Sequence, residues 1–152
     1  FSNKTVIENI MEGLVTVKKM KKSEARDIAQ RFLKEVGMEG YDDYYPVQLS
    51  GGQQQRIGIA RALAMDPEVI LFDEPTSALD AVNQKLVLDL LQKLHTEQPF
   101  GYIFVSHDIG LLQAVTDRII VMKDGQIVET IESKRLKEAV HPYTQALVEA
   151  SE

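Results

Sequence analysis

Cysteine is absent from this chain of 152 residues, which excludes a disulfide framework and a thiolate metal site. Basic residues do not outnumber acidic ones: the formal net charge is −6, which gives no general attraction for nucleic acid or anionic lipid. No apolar run approaches the roughly 20 residues that span a bilayer, and no basic, apolar leader opens the chain. We therefore expect a soluble, cytoplasmic domain that binds no nucleic acid.

The first part of the chain has the periodicity of two helices. Thr5 and Glu8 have the spacing of a capping box, and Ser23 is predicted to cap a second helix that Gly37 ends. The lysine-rich segment 18–22 between the helices is predicted to be a solvated face. The apolar residues of the first helix recur at helical intervals, at Val6, Ile10, Leu14 and Val17.

From residue 50 onward, helical and strand-like patterns alternate. Val69–Phe72 and Tyr102–Val105 are short apolar runs typical of strands buried on both faces. Asp80 and Asp108 are predicted to cap the helices that follow these strands, and Asp124-Gly125 between apolar runs predicts a hairpin. The residues predicted to face inward are Ile57, Ala60, Leu63 and Ala64 on one helix and Leu86, Leu90, Leu91 and Leu94 on another.

This order of elements predicts an α/β fold. Strand, helix, strand, helix, strand implies right-handed crossovers and a mainly parallel sheet flanked by helices. The leading helical pair has no strand near it. We therefore expect a helical subdomain over residues 1–48 and an α/β core over residues 49–152.

A glycine pair opens the predicted helix after Ser50. Ser50 and Gln53 have capping-box spacing, and a helix start carries unpaired N–H groups and partial positive charge. Gly51 and Gly52 would let an anion approach those groups without a Cβ in the way. Serine-glycine-glycine alone is also typical of an ordinary capped helix. The whole run LSGGQQQR at residues 49–56 favours phosphate binding.

Two acids end the first predicted strand. Ligands gather at the carboxyl ends of strands in open α/β sheets, and Asp73 and Glu74 lie at such an end. Adjacent strand residues point to opposite sides, so the two carboxylates can act differently. An isolated Asp-Glu pair is usually solvated before a turn. Here the preceding apolar strand and the following run PTSALD at residues 75–80 favour a site that holds Mg²⁺ and activates water.

His107 follows the second predicted strand. Ser106, His107 and Asp108 are the three side-chain types of a hydrolase triad, but consecutive residues cannot align nucleophile, base and orienting acid. A lone histidine after a strand is usually a capping or packing residue. His107 also comes roughly thirty residues beyond the acidic pair. His95 and His141 are predicted to be structural or surface residues.

Together these motifs resemble those of ATP-binding cassette (ABC) ATPases, the motor subunits of ABC transporters. The resemblance implies a P-loop NTPase-like fold with ATP and Mg²⁺ as cofactors. It assigns Asp73 to Mg²⁺, Glu74 to the general base that polarises the attacking water, and His107 to the γ-phosphate. The residues implied to contact ATP held by an opposite, head-to-tail subunit are Ser50, Gly51, Gly52 and Gln53, with Asp80 in the D-loop that crosses the dimer interface.

The phosphate loop G-x-x-x-x-G-K-[ST] of that family is missing, since none of the nine glycines is followed by lysine. The family's Q-loop glutamine and its adenine-stacking aromatic residue are missing too. The chain thus resembles the C-terminal part of a motor domain. We expect it to be inactive alone, and its core strands to expose apolar faces because the strand before the phosphate loop is not in the sequence.

The tail HPYT at residues 141–144, with Ala146 and Leu147 behind it, resembles the peptide and nickel importer branch. The runs DAVNQ at residues 80–84 and LDLL at residues 88–91 fit that branch too. The resemblance implies uptake of a peptide or nickel-like solute driven by ATP hydrolysis. It implies as partners a second ABC ATPase subunit, membrane permease subunits and, indirectly, an extracytoplasmic solute-binding protein. It also implies a peripheral location on the cytoplasmic face of the membrane. Two alternatives stay open: a non-transport ABC ATPase of DNA repair or translation, and a truncated, non-catalytic remnant that acts as an interaction module.

Overall fold

The computed structural model describes residues 2–98 and 100–151. The chain forms two compact units, each built from two segments. The first unit comprises Phe1–Ile70 and Ala78–Tyr102, and the second comprises Leu71–Ser77 and Ile103–Glu152. Phe1, where the expected helical subdomain begins, lies outside the described residues. The expected boundary between residues 48 and 49 stays a prediction.

Helix α1 spans Val6–Thr16 and begins with the predicted capping box. Thr5 Oγ1 accepts a hydrogen bond from the Glu8 amide, and the Glu8 carboxylate accepts one from the Thr5 amide at 2.9 Å. Val6, Ile10 and Leu14 are buried as predicted. Val17 is 70% exposed, contrary to prediction, because it is the residue that ends the helix.

Helix α2 spans Lys22–Glu35. The prediction that Ser23 caps it was wrong: the extended residue before the helix is Lys21, whose side chain makes no capping bond, and Ser23 lies inside the first turn. The helix ends at Val36, and Gly37 follows with φ +70°, the left-handed conformation that glycine adopts without strain. The predicted stop at Gly37 is therefore confirmed.

Helix α3 spans Gly51–Ala64 and packs against α1 and α2 to form the helical core of the first unit. Its predicted inward residues Ile57, Ala60, Leu63 and Ala64 are all buried. A 3₁₀ turn, Pro46–Gln48, precedes it.

Strands β1 (Val69–Asp73) and β2 (Gly101–Val105) are neighbours. They run parallel, because the Gly101 amide donates to the Glu68 carbonyl at 2.8 Å and the Glu74 amide donates to the Val105 carbonyl at 2.9 Å. Both predicted strands exist. The prediction that they are buried on both faces was wrong, since alternate residues are exposed among the described residues. The exposed apolar side chains are Val69, Leu71, Ile103 and Val105, so the expected exposed apolar faces are present.

Helix α4 spans Ala81–Glu97 with Asp80 as its N-cap, as predicted. Leu91 and Leu94 are buried. Leu86 is 44% exposed, contrary to prediction, and its neighbour Val87 is fully buried instead.

The second unit contains a helix, a hairpin and a C-terminal helix. Helix α5 (Ile109–Val115) is capped by Asp108, and strands β3 (Arg118–Lys123) and β4 (Gln126–Glu132) pair antiparallel. Asp124 and Gly125 turn the hairpin with φ +51° and +77°, as the Asp-Gly signal predicts. A 3₁₀ segment (Ser133–Glu138) and α6 (Pro142–Glu149) complete the unit. Its core contains Ile109, Ile119, Val121 and Leu136.

The α/β class with a parallel strand pair is confirmed. Among residues 2–98 and 100–151, no helix has both the length and the apolar character needed to cross a bilayer.

Candidate functional site

Glu74 follows strand β1 in a constrained backbone conformation. Its φ is +48°, in the left-handed region that non-glycine residues rarely adopt. Its amide donates to the Val105 carbonyl at 2.9 Å, and its carbonyl accepts from the Ser77 amide at 3.3 Å and from Ser77 Oγ at 3.0 Å. Backbone strain of this kind persists only where surrounding bonds impose it, and it concentrates at functional sites.

The side chain of Glu74 meets His107. Glu74 Oε1 lies 2.9 Å from His107 Nδ1, although the two residues are 33 positions apart. The hydrogen bond to the Glu74 carboxylate, together with its negative charge, raises the pKa of His107, and Asp108 adds a smaller effect in the same direction. The imidazole side chain is 78% exposed and the Glu74 side chain 36% exposed, so both can reach a ligand.

Asp73 ends β1, and its carboxylate is exposed. No hydrogen bond or ion pair holds this side chain within the described part of the chain. A free carboxylate suits Mg²⁺, which prefers oxygen ligands and keeps several waters. Across residues 2–98 and 100–151, no three acidic or histidine side chains converge to hold a metal ion.

The residues of the apparent triad have separate local tasks. Ser106 Oγ accepts from the Asp108 amide at 3.0 Å, and Asp108 Oδ1 accepts from the Leu111 amide at 2.9 Å. Asp108 therefore caps α5, while His107 turns to Glu74. His141 caps α6 by accepting from the Tyr143 amide at 3.1 Å, which is a structural role.

The glycine pair lies at the start of α3, in the first unit. Gln53 Oε1 accepts from the Ser50 amide at 2.9 Å, and Ser50 Oγ accepts from the Gln53 amide at 3.3 Å, which confirms the predicted capping box. Gln53 Nε2 also donates to the Tyr41 hydroxyl at 3.3 Å. The amides of Gly51 and Gly52 find no acceptor among the described residues, so they remain available to an anion.

Asp80 and Asn83 lie against this glycine pair. Asp80 Oδ1 accepts from the Asn83 amide at 3.0 Å and its Oδ2 accepts from Asn83 Nδ2 at 2.7 Å. These bonds from Asn83 lower the pKa of Asp80. Gly52 is buried, and a Cβ placed on it would lie 2.8 Å from Asn83 Oδ1.

The structure thus brings the predicted site residues together in two groups. The second unit holds Asp73, Glu74 and His107, and the first holds Asp80 with the start of α3. Sequence reasoning assigned no part to Asn83 or Tyr41. Asn83 is the third residue of α4, whose N-cap is Asp80. The side chain of an aspartate N-cap usually accepts a hydrogen bond from the backbone amide at this position, so the spacing of the two residues could have predicted their contact.

The known proteins to which this chain is similar include ABC transporter proteins. The family profile described as ABC transporter matches residues 1–77. An L-cystine transport system ATP-binding protein of Escherichia coli is 49% identical over 136 residues, which cover 90% of this chain and 54% of that protein. A glutamate transport ATP-binding protein of Corynebacterium efficiens is 46% identical over 129 residues, covering 85% and 53%.

A solved structure of a dimeric ATP-binding cassette in a post-hydrolysis state, bound to ADP and Pi, is 38% identical. Its TM-score is 0.73, and the match covers 88% of this chain and 58% of that one. The similarity confirms the expected P-loop NTPase-like fold. The chain spans about half the length of the curated relatives it matches.

The expected peptide and nickel branch is not supported, because the relatives named here transport amino acids. That expectation rested on the tail at residues 141–147 and on the runs at residues 80–84 and 88–91. In the structure His141 caps α6 and Pro142 is its first residue. These residue types are common at the start of helices in general, so they do not indicate which solute is transported.

Proposed function

The chain belongs to the ABC transporter family, and from this premise we propose that it is part of an importer's motor subunit that hydrolyses ATP. This part carries the run LSGGQ at residues 49–53, which we call the signature. The observation that carries the proposal is the contact between Glu74 and His107 after two parallel strands. Ligand sites of α/β folds lie at this end of the strands.

Glu74 is the proposed general base. Its carboxylate can accept a proton from an attacking water, and its hydrogen bond to His107 fixes where that carboxylate points. Glu74 adopts a left-handed backbone conformation immediately after β1. His107, exposed and with a raised pKa, is suited to contact a phosphate oxygen.

Asp73 is the proposed Mg²⁺ ligand. Bound Mg²⁺ would neutralise charge on the phosphates of ATP. The exposed Asp73 carboxylate would hold the ion, directly or through water.

The start of α3 is the proposed contact with nucleotide held by a second motor subunit. The unpaired amides of Gly51 and Gly52, with Ser50 and Gln53 beside them, suit the γ-phosphate of ATP bound in that partner. Asp80 would lie at the same dimer interface. The similarity to a dimeric cassette supports this arrangement.

We propose that the whole protein, as part of an importer, drives the uptake of amino acids. Its partners would be a second motor subunit, membrane permease subunits and, indirectly, an extracytoplasmic solute-binding protein, with no nucleic acid involved. Its place would be the cytoplasmic face of the membrane, as a peripheral subunit. The support is the amino-acid, cystine and glutamate transport named among the relatives.

Uptake assays in the native host test this function. The gene is deleted and then restored as the wild type or as Glu74→Gln, and uptake of labelled amino acids, a dipeptide and Ni²⁺ is measured. We expect deletion to abolish uptake of one or more amino acids, and only the wild type to restore it. Loss of dipeptide or Ni²⁺ uptake alone would overturn the amino-acid assignment. Intact uptake with defective DNA repair or translation would overturn the importer role.

A further inference from the structure

We propose that Asn83 is a positioning residue that fixes the start of α3 relative to Asp80, and so links the D-loop to the signature glycines within one chain. This inference rests on the proposed function, in which both segments meet the partner subunit. It concerns a residue that neither contacts nucleotide nor belongs to the recognised motifs.

The amide group of Asn83 is held from one side by Asp80. Asp80 accepts from Asn83 twice, from its backbone amide at 3.0 Å and from Nδ2 at 2.7 Å. The side-chain bond is short and charge-assisted, which limits rotation of the amide. The Asn83 oxygen Oδ1 therefore has a defined direction.

That oxygen lies beside Gly52. A Cβ built on Gly52 would be 2.8 Å from Asn83 Oδ1, closer than real Cβ contacts, and 3.1 Å from Asn83 Cγ, which is tight. A Cβ built on Gly51 would lie 3.3 Å from Leu79 Cδ2. Gly52 thus allows close packing against Asn83, in addition to any access that it gives to phosphate.

Asn83 therefore contacts both the segment at Asp80 and the start of α3. In the proposed function both segments lie at the interface with the second motor subunit. If the segment at Asp80 shifts when a partner subunit binds, Asn83 shifts with it and displaces the amides of Gly51 and Gly52. Misplacing groups by about 1 Å can cost up to 10²-fold in rate even when the mutated residue does not touch the reacting atoms. Alanine at position 83 removes the side-chain bond to Asp80 Oδ2 and the contact with Gly52, while the backbone amide bond to Asp80 Oδ1 stays.

The test uses the whole motor subunit assembled with its partner and permease. We expect Asn83→Ala to lower kcat for ATP hydrolysis by about tenfold while KM for ATP changes less than about twofold, because the signature acts after ATP is bound elsewhere. Lys85→Ala is the matched control, since Lys85 lies about 200° around α4 from Asn83 and is exposed. We expect that control to hydrolyse ATP at the wild-type rate.

A second variant separates positioning from general damage. Gly52→Ala should lower kcat strongly when Asn83 is present. In a chain that also carries Asn83→Ala, it should lower kcat less, because the added methyl group no longer clashes with the Asn83 side chain. Wild-type kcat in Asn83→Ala, or fully multiplicative losses in the double variant, would overturn the inference while leaving the proposed function intact. An assembled wild-type complex without turnover would instead overturn the proposed function, and the inference with it.

Discussion

Glu74 Oε1 lies 2.9 Å from His107 Nδ1, and each residue comes directly or shortly after one of two parallel neighbouring strands. The contact joins side chains that are 33 positions apart in the sequence. It depends on the left-handed backbone at Glu74, which is held by hydrogen bonds to Val105 and Ser77. The Glu74 carboxylate therefore lies close enough to raise the pKa of His107 through a hydrogen bond and its negative charge.

The pKa of His107 is the first prediction. We expect it to lie above its ordinary value of 6.5 and to fall towards that value in Glu74→Gln, because the hydrogen bond and charge of Glu74 cause the shift. The raised pKa stabilises the folded chain fully below the unfolded value, and this stabilisation is lost as pH rises through the folded value. NMR titration of the imidazole measures it. Identical titration curves in wild type and Glu74→Gln would contradict the pairing.

The backbone at position 74 gives the second prediction. Glu74→Gly and Glu74→Ala both lose the carboxylate, so their difference isolates the conformation at φ +48°. We expect the glycine variant to have the higher free energy of unfolding, by about 1 kcal/mol, because glycine adopts the left-handed region without strain. Denaturant unfolding of the two variants measures this. Equal stability, or a more stable alanine variant, would show that the left-handed backbone is not present in solution.

Two glycines of α3 give the third prediction. A Cβ placed on Gly58 would have no neighbouring atom within 4 Å, whereas one placed on Gly52 would meet Asn83. We expect Gly58→Ala to raise the free energy of unfolding by about 0.5–1 kcal/mol, since alanine is the better helix former. Gly52→Ala should give no such gain, because its methyl displaces Asn83. Thermal or denaturant unfolding measures both variants. An equal increase in the free energy of unfolding for Gly52→Ala and Gly58→Ala would contradict the prediction.

Local signals in the sequence predicted much of the fold. The capping boxes at Thr5 and Ser50, the cap at Asp80 and the Asp124-Gly125 turn each depend on a few neighbouring residues, and each is confirmed. Side-chain spacing and backbone conformation are coupled over such short distances, so the residues themselves are sufficient evidence.

Features that depend on distant parts of the chain were predicted less well. The buried face of α4 includes Val87 rather than Leu86, because packing partners and not the helix itself select the face. The left-handed backbone at Glu74 and the contact of Asn83 with Gly52 have no local signature, since both arise from elements brought together by folding. The peptide and nickel branch is not supported by the relatives, and the four tail residues that contributed to that expectation form a helix start in the structure.

The most direct test of the central claim is ATP turnover by the whole motor subunit, assembled with its partner and permease, carrying Glu74→Gln. The substitution keeps the size of the side chain but removes the carboxylate that would accept the proton. We expect turnover to fall at least about 10²-fold while ATP binding stays within about twofold of the wild type. Turnover at the wild-type rate would contradict the assignment of Glu74 as the general base.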